Sequence, residues 1–415
     1  MIERIYYTKP ATLEFDATVL SCEAHAGRFA VTLDRTAFYP TSGGQPFDTG
    51  TLVASSAAGE GASASAASAR VTDVLELEDG RIDHLTDRPL PAGARVHGVV
   101  DEARRRDHMQ QHTGQHILSA AFDRLFKART VGFHLGADVS TLDLDKALPP
   151  DSVTAAESEA NRVVWGNRPV TIRFASEAEA AAIQLRKEPT RTGELRLVDV
   201  ADFDCSACGG THVAHTGEIG VIAVKAVEKF RGGLRITIVC GQRALAEYRI
   251  VRDAVAGCIR LISVSPGELP SAIERAQGEN KDLHKTISDL QVQLAGFEAA
   301  AMVDRGVRVG ETTVVIEVAA GWDQAGLKAL ATSAVKRGGT VAAMLSGTAP
   351  VLAVIARSAD APVDASAVLK ALIARAGGKG GGKPDLAQGG GMTGTPEALQ
   401  ADLRSIIEGC LQPAP

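Results

Sequence analysis

The chain has no long apolar run, and its N-terminus carries charge early and lacks the apolar core of a signal peptide. No stretch approaches the roughly 18 uninterrupted apolar residues that a membrane helix needs. With 45% apolar and 23% charged residues, the composition is typical of a folded globular protein. We therefore expect a soluble, cytoplasmic protein that does not enter a membrane.

Cysteine and excess positive charge are also scarce. The 415 residues include six cysteines, which are too few and too scattered for a disulfide framework and favour free thiols or metal ligation. The formal net charge of -6 excludes a nucleic-acid binder that works through bulk positive charge. Local basic patches on a protein that reads a specific RNA shape remain compatible with it.

Strand-like and helical patterns predict an α+β protein of several domains, because the chain has about two to four times the usual domain length. Short strand-like stretches separated by glycine-rich turns predict a small β-barrel or sandwich at the N-terminus. A helix with apolar residues at helical spacing opens a mixed region near residue 102. The predicted domains are an N-terminal β-barrel at 1–101, an α+β domain at 102–243, a helical coiled-coil segment at 244–305 and a C-terminal α/β domain at 306–415.

Finer elements follow from the same patterns. Residues 54–70 are almost all Ala, Ser and Gly and predict a flexible loop between two strands. The C-terminal domain is predicted to alternate strands and helices around a glycine loop at 377–391. The α+β domain is predicted to contain helices at 103–127, 151–166 and 176–184 and strands at 195–200, 219–228 and 234–240.

The helical segment carries apolar residues at alternating steps of four and three, which is the spacing of a coiled-coil seam. Asn280 is its one polar member, a residue type that fixes register and dimer state at such a position. The pattern predicts either a dimer arm or an intramolecular hairpin. The seam consists of Leu269, Ile273, Ala276, Asn280, Leu283, Ile287, Leu290, Leu294 and Phe297.

The strongest candidate site begins with His112 and His116, four residues apart on the first long helix. That spacing points both imidazoles to one face, as a metal requires. The pair alone is a weak signal, but Cys208 and His212 are also four residues apart, in a loop that two glycines can fold sharply. Together the four side chains predict a metal site.

Cys205 offers an alternative ligand, since it forms a Cys-x-x-Cys pattern with Cys208. We do not assign Cys205 as a ligand, because the other four side chains already complete a tetrahedral coordination. A catalytic zinc usually keeps one coordination position open, so a filled site leaves open whether the metal takes part in chemistry or organises the pocket.

The motifs HTGQH and CGGTH resemble those of the editing domain of alanyl-tRNA synthetase and of its free-standing relatives, the AlaX trans-editing proteins. The upstream TAFYPTSGGQPFDTG is similar to the family's N-terminal barrel, and the glycine tract at 377–391 is similar to the DHH-associated domain of the long AlaX form. We find no counterpart of a synthetase's aminoacylation and tRNA-recognition domains. The resemblance therefore implies hydrolysis without ATP rather than charging of tRNA, and one zinc ion per chain.

The resemblance implies tRNA(Ala) wrongly carrying serine or glycine as the substrate. A synthetase pocket shaped for alanine rejects serine, with its added hydroxyl, by only roughly 10²-fold, so a second site is needed. An editing pocket can place a hydrogen-bonding group where the serine hydroxyl sits, so that alanine leaves the group unpaired. Thr130 is our candidate for that group, with Gln115 behind it.

Further roles concern the hydrolysis itself. His134, on the strand after the metal helix, is a candidate pocket residue that relays a proton. The backbone amides of Gly209 and Gly210 are candidates to stabilise the oxyanion, because no side chain blocks approach to a glycine.

RNA contacts are expected at two glycine-rich segments. The segment at 43–45 lies near the acceptor stem in the family. The segment at 377–391 suits phosphates and is expected to bind the tRNA elbow or to form a dimer contact. The basic run at 104–106 either contacts phosphates or forms a solvated face. The expected contacts in the two segments are Gly43, Gly44 and Gln45, and Lys379 and Lys383.

Three alternatives compete with this interpretation. The editing domain of threonyl-tRNA synthetase uses similar motifs against Ser-tRNA(Thr), so the metal ligands alone do not choose the tRNA, although the barrel and the glycine-rich tail favour alanine. A non-catalytic tRNA-binding protein with a structural zinc would carry the same ligands. A metalloprotease is disfavoured, because the helix lacks the glutamate of His-Glu-x-x-His.

Overall fold

A computed structural model describes residues 2–54, 67–176, 178–179, 182–183, 185–186 and 193–412. The chain divides into two compact units, Met1–Gly257 and Cys258–Pro415. The domain boundaries predicted at 101, 243 and 305 therefore fall inside these units. Within the described part of the chain, no helix is long and apolar enough to cross a membrane.

The first unit opens with a β-barrel. Its elements are β1 (Glu3–Arg4), α1 (Ile5–Thr8), β2 (Glu14–His25), β3 (Arg28–Leu33), β4 (Arg35–Thr36), β5 (Gly50–Ala54), β6 (Ser68–Glu76), β7 (Ile82–Thr86) and β8 (Arg95–Val100). Six strands close in the order β2-β3-β7-β6-β5-β8 around apolar side chains such as Val31, Leu33 and Leu52, which confirms the predicted barrel. Most of the loop predicted at 54–70 lies outside the described residues, and its last residues begin β6.

Among the described residues, two sheets and three long helices follow the barrel, and the last of these helices extends past Gly257, where the first unit ends. Their elements are α2 (Glu102–Phe126), β9 (Thr130–Leu135), β10 (Ser140–Leu144), α3 (Pro150–Trp165), β11 (Val170–Ala175), β12 (Leu195–Val200), β13 (Asp204–Ala207), a short 3-10 helix (Thr216–Ile219), β14 (Ile222–Phe230), β15 (Gly233–Cys240) and α4 (Gln242–Ile262). The sheets have the orders β14-β15-β10-β9 and β11-β12-β13. The predicted α+β character is confirmed, whereas residues 177, 180, 181 and 184 of the helix predicted at 176–184 lie outside the described residues.

Helix α2 positions the candidate site. It begins after Asp101, whose carboxylate accepts the Arg104 N–H at 3.1 Å, and it ends at Lys127 with a left-handed φ of 52°. Every residue from His108 to Phe122 is buried, although many of these side chains are polar. Because a buried polar side chain needs a partner, this stretch of α2 must be surrounded by hydrogen-bonding groups.

After the last residues of α4, the second unit contains a long helix and an α/β domain. Its elements are α5 (Leu269–Asp304), β16 (Val307–Val309), β17 (Thr312–Ala319), α6 (Gln324–Ala334), β18 (Thr340–Ser346), β19 (Val351–Arg357), α7 (Ala365–Ala376), β20 (Lys379–Gly382), β21 (Leu386–Met392) and α8 (Pro396–Leu411). The sheet order is β16-β17-β18-β19-β21-β20. The end of α5 and α6 cover one face of the sheet, and α7 and α8 cover the other.

The predicted long helix is confirmed as α5, and most of its seam faces solvent. Leu283 and Phe297, for example, are 63% and 79% exposed. Another face of α5, which includes Ala295 and Ala299, is buried against the sheet domain. Within this unit the seam therefore remains an uncovered apolar stripe.

The prediction of a glycine loop at 377–391 is wrong, because most of this segment forms the antiparallel strands β20 and β21. Lys379 pairs with Gly390, and Gly382 pairs with Ala387. The two strands approach so closely that a Cβ on Gly380 would lie 2.5 Å from the Cα of Gly389. Glycine has a weak strand propensity, so the local sequence predicted a loop where the sheet edge supplies the pairing.

Candidate metal centre

His112 and His116 lie one turn apart on α2, and both are buried. Their ring centroids are 5.3 Å apart. Gly114, between them, allows the helix to pack closely on β15, since a Cβ at that position would lie 2.4 Å from Cys240 Sγ. The helix therefore holds both imidazoles inside the unit, as their spacing predicted.

Cys208 and His212 lie in the loop that follows β13. Arg196 anchors this loop, because its backbone carbonyl accepts the Cys208 N–H at 3.1 Å and its guanidinium donates to the Cys208 carbonyl oxygen. Gly210 lies against α2, where a Cβ would be 2.2 Å from His112 Cε1. Only glycine allows the loop to come this close to the helix.

The donor atoms of the four predicted ligands lie together. Cys208 Sγ is 3.4 Å from His112 Nε2 and 3.3 Å from His212 Nε2, and the four donor atoms, including that of His116, are all within 4.8 Å of one another. A tetrahedral zinc ion, about 2.0 Å from nitrogen and 2.3 Å from sulfur, separates its donors by roughly 3.3–3.6 Å. The donor set and its spacing therefore fit zinc.

Each histidine of this group turns its Nδ1 atom towards another polar side chain. Such outer partners orient a metal-binding imidazole and leave its Nε2 atom for the ion. Of these partners, Thr113 and Asp204 were not singled out from the sequence. The hydrogen-bonded pairs are His112 with Gln45 Oε1 at 2.9 Å and His212 with Thr113 Oγ1 at 3.1 Å, whereas His116 Nδ1 lies 3.4 Å from Asp204 Oδ2 without hydrogen-bond geometry.

The surroundings of three of these ligands shift the pKa values towards the forms that bind metal. Burial lowers the pKa of His112 to about 3, and Arg196 acts in the same direction. Burial also lowers the pKa of His212 well below its ordinary value. Burial raises the pKa of the Cys208 thiol, but the neighbouring His116 and other polar groups outweigh it, so this pKa is below the ordinary value. Neutral imidazoles and a thiolate are the ligand forms of zinc.

Three hydrogen-bonded side chains lie next to the metal ligands. Ser119 is wholly buried, and its Oγ is 2.8 Å from both the Gln115 amide nitrogen and the Thr130 hydroxyl. Ser119 follows His116 by three residues and therefore continues the same stripe of α2. The structure thus brings the predicted residues Gln115 and Thr130 together through Ser119, which the sequence analysis missed although its spacing was visible.

Thr130 faces α2 because of a β-bulge. Gly132 pairs with Asp143 and Thr130 pairs with Leu144, so Val131 is an extra residue between the two pairs. The bulge returns Thr130 to the side of the sheet that contacts α2, and the residue stays half-buried. Its hydroxyl is therefore near the edge of the buried polar group.

The prediction that His134 lines the pocket is wrong. His134 is exposed and pairs with Thr141, whereas its neighbours Phe133 and Leu135 face inward. Successive side chains of a strand point to opposite faces, so the side chain of His134 lies on the face away from α2. Phe133 takes the predicted place, and its ring centroid lies 5.6 Å from that of His112.

The glycine-rich turn of the barrel also reaches the metal ligands. Gly43 and Gly44 are exposed, with φ angles of 58° and 84°, which are typical of the centre of a type I′ turn. Gln45 is wholly buried, and its amide bonds to Thr211 and faces His112. The predicted tRNA contact by the Gln45 side chain is therefore wrong, because this side chain points into the protein.

The two glycines of the ligand loop differ in their surroundings. The Gly210 N–H donates to Cys208 Sγ at 3.5 Å, a contact that competes with the predicted role of this amide as an oxyanion donor. Gly209 is exposed and lies near Tyr7. Cys205 is not one of the four grouped ligands, and its thiol contacts Arg173 Nη2 at 3.6 Å.

The basic run at 104–106 is neither a phosphate patch nor a solvated face as a whole. Arg105 is 1% exposed and forms an ion pair with Asp48, which is 0% exposed. Arg104 Nε donates to a backbone carbonyl of the barrel, and the exposed Arg106 pairs with Glu102. In the second unit, both predicted phosphate ligands are exposed, at or just after the edge strand β20. These are Lys379 and Lys383.

Two protein families have models that match parts of the chain. The second additional domain of threonyl and alanyl tRNA synthetases matches residues 195–236, which include Cys208 and His212. The DHHA1 domain matches residues 311–411, which form most of the second unit.

Curated relatives match nearly the whole chain. The alanyl-tRNA editing protein AlaX-L of Pyrococcus horikoshii is 32% identical over 94% of this chain and 94% of its own length. The alanine–tRNA ligases of Methanoregula boonei and Natronomonas pharaonis are 34% and 36% identical over 97% and 98% of this chain, which spans 42% and 44% of their length. The solved C-Ala domain of Aquifex aeolicus alanyl-tRNA synthetase aligns at 25% identity with 26% of this chain and 96% of that domain, with a TM-score of 0.23.

Proposed function

The chain belongs to the family of the alanyl-tRNA editing protein AlaX-L, and we propose that it hydrolyses the ester bond of tRNA(Ala) that wrongly carries serine. It is an aminoacyl-tRNA hydrolase with a role in tRNA editing. One observation carries the choice of serine. It is the hydrogen-bonded group of Gln115, Ser119 and Thr130, which lies next to the metal ligands on α2.

In this proposal Thr130 binds the hydroxyl of the mischarged serine. Ser119 holds the Thr130 hydroxyl and the Gln115 amide in place, since both lie 2.8 Å from its Oγ. Alanine carries no hydroxyl and cannot make this contact. The site therefore binds the alanine ester less favourably than the serine ester, by about 1–3 kcal/mol of binding free energy. Ala-tRNA(Ala) is therefore spared. Glycine has no side chain that Thr130 could bind, so Gly-tRNA(Ala) is a proposed substrate only because glycine is small.

The four ligands, His112, His116, Cys208 and His212, would hold one zinc ion, which when bound supplies a fixed positive charge beside the pocket. The protein's own groups then orient the ester. The backbone N–H of the exposed Gly209 is the remaining loop candidate for donation to the carbonyl oxygen as negative charge develops on it.

The tRNA is proposed to contact both units. Near the site, the exposed backbone of Gly43 and Gly44 is the candidate for the acceptor stem. In the second unit, the exposed ammonium groups of Lys379 and Lys383 flank a glycine strand that lets phosphates approach the backbone, as expected for the tRNA elbow. The same proposal includes a cytoplasmic location and a homodimer that forms through the exposed seam of α5 or through the C-terminal domain.

Side-by-side deacylation assays test the proposal. Zinc-loaded protein is incubated with Ser-tRNA(Ala), Gly-tRNA(Ala), Ala-tRNA(Ala) and Ser-tRNA(Thr), and release of the amino acid is followed. We expect turnover of Ser-tRNA(Ala), with Ala-tRNA(Ala) left intact, and the glycine ester reports whether small size alone suffices. Cleavage of Ser-tRNA(Thr) in place of Ser-tRNA(Ala) would support a threonyl editing enzyme. Cleavage of none of them would support a non-catalytic tRNA-binding protein.

A further inference from the structure

The side chain of Gln45 connects three parts of the first unit. Its Oε1 atom lies 2.9 Å from His112 Nδ1 and accepts the Thr211 N–H at 3.0 Å, and its Nε2 atom donates to Thr211 Oγ1 at 2.9 Å. Gln45 belongs to the barrel turn, His112 to α2 and Thr211 to the ligand loop. These partners are 67 and 166 residues away in sequence, and the side chain of Gln45 is wholly buried.

The direction of these hydrogen bonds follows from donor and acceptor chemistry. A backbone N–H can only donate, so the amide atom that faces the Thr211 N–H must be the oxygen of Gln45. The same oxygen faces His112 Nδ1, which must therefore carry the proton. The neutral imidazole then has its lone pair on Nε2, the atom that lies 3.4 Å from Cys208 Sγ.

The barrel turn leaves Gln45 little freedom to move. Ser42 and Gln45 exchange both backbone hydrogen bonds, at 3.1 and 2.9 Å, across the two glycines of the turn. On the opposite side, a Cβ on Gly210 would lie 2.9 Å from Gln45 Oε1, so the ligand loop packs directly on the amide. The amide of Gln45 is therefore fixed from the barrel side and from the loop side.

We propose that Gln45 is a positioning residue of the metal centre. It selects the His112 tautomer that offers Nε2 to the ion, and it holds the loop that carries Cys208 and His212 at the correct distance from α2. The barrel is thus part of the metal centre, beyond any role in contacting tRNA. The inference rests on the proposed zinc site but not on the proposed substrate.

Two substitutions at Gln45 separate orientation from packing. Gln45→Leu removes all three hydrogen bonds at nearly constant volume, and we expect the affinity for zinc, measured by competition with a chromophoric chelator, to fall about 10–100-fold. Gln45→Glu keeps an oxygen towards both N–H donors, and we expect its affinity to stay within about threefold of that of the wild type. Cobalt-loaded protein should show altered d–d absorption bands for Gln45→Leu and bands like those of the wild type for Gln45→Glu.

Gln111 supplies a matched control for a loss of stability alone. It is also a wholly buried glutamine, and it makes two hydrogen bonds of 2.9 Å to the backbone of Cys240. Gln111→Leu should lower the thermal midpoint of the metal-free protein, as Gln45→Leu does, but leave the affinity for zinc near that of the wild type. Equal affinities for zinc in Gln45→Leu and wild type, equal losses in the two leucine variants, or no zinc binding by the wild type would overturn the proposal. None of these measurements uses tRNA, so they are independent of the proposed substrate.

Discussion

The hydroxyl oxygen of Thr130 lies 2.8 Å from that of Ser119, a wholly buried residue of the metal-binding helix. A hydroxyl has one proton and two lone pairs, so Thr130 can bond to Ser119 and to a substrate hydroxyl at the same time. The bond to Ser119 restricts the rotation of the Thr130 side chain before substrate arrives. Such preorganisation reduces the entropic cost of binding.

Thr130→Val should therefore reduce selectivity without disturbing the metal. Valine has nearly the same shape but cannot bond to the serine hydroxyl, and one lost hydrogen bond is worth about 1–3 kcal/mol, or roughly 5–150-fold. We expect kcat/KM for Ser-tRNA(Ala) to fall by that factor, with unchanged zinc content and no change for Ala-tRNA(Ala). Ser119→Ala should give a smaller loss, because it removes only the support of Thr130. Unchanged selectivity in Thr130→Val would transfer the recognition of serine to another residue, with Gln115 as the first candidate.

Substitutions of two cysteines that lie three residues apart test which side chains bind the metal. Cys208→Ala should abolish stoichiometric zinc binding, because it removes the sulfur atom that lies 3.4 Å from His112 Nε2 and 3.3 Å from His212 Nε2. Cys205→Ala should retain zinc, because Cys205 is not one of the four grouped ligands. The metal content of both purified variants, measured by plasma mass spectrometry, decides between them. Loss of zinc from Cys205→Ala would restore the Cys-x-x-Cys interpretation.

The metal ligands could be predicted from the sequence because they depend on local spacing. His112 and His116 are one helical turn apart, and glycines next to Cys208 allow a sharp turn, so each pair is visible within a few residues. The barrel, the long helix and the C-terminal α/β domain were predictable for the same reason, since periodicity is a local property.

The positions of the groups around the ligands depend on tertiary structure, so they cannot be predicted from local sequence spacing. Gln45 reaches His112 across 67 residues, and no pattern in the sequence pairs the two. His134 was assigned to the pocket because it lies on the strand after the metal helix, but strand alternation places Phe133 there instead. Ser119 differs from these cases, because its spacing from His116 was visible and was overlooked.

Removal of one partner of the buried ion pair of Arg105 and Asp48 should destabilise the protein strongly. Asp48→Ala leaves the Arg105 guanidinium without its carboxylate at a site that is 1% exposed, and a loss of this kind costs about 3–5 kcal/mol. Glu102→Ala, which breaks the exposed pair with Arg106, is the matched control and should cost under about 1 kcal/mol. Thermal unfolding of the two variants should therefore differ clearly. Similar midpoints would show that the buried pair is dispensable.

His84 should make the barrel less stable in acid. It is wholly buried between Thr36 and the Val31 carbonyl, and burial lowers its pKa to about 4. Because the unfolded histidine titrates near 6.5, the unfolded state binds more protons between about pH 6.5 and 4. The stability that neutral His84 contributes is therefore complete above about pH 6.5 and is lost as the pH falls towards 4.

The expected decrease in the free energy of unfolding is about 1.4 kcal/mol per pH unit, or roughly 3 kcal/mol in total. His84→Gln removes the titration but keeps a donor for the Val31 carbonyl and an acceptor for Thr36. Urea unfolding of both metal-free proteins at pH 7, 6, 5 and 4 should show their difference in stability shrinking as the pH falls, while the other histidines cancel. A difference that does not depend on pH would contradict the prediction.

The exposed seam of α5 should mediate self-association. Leu283 is 63% exposed and Phe297 is 79% exposed, and a row of large apolar side chains at heptad spacing is the surface that a second helix covers. Leu283→Glu should shift the protein from a dimer to a monomer of 43.2 kDa in sedimentation velocity. It should change the stability of the monomer little, because Leu283 is mostly solvated. Lys285→Ala, two residues away and with the same change in net charge, should leave the dimer intact. A wild type that sediments as a monomer at micromolar concentration would show that the seam does not mediate self-association.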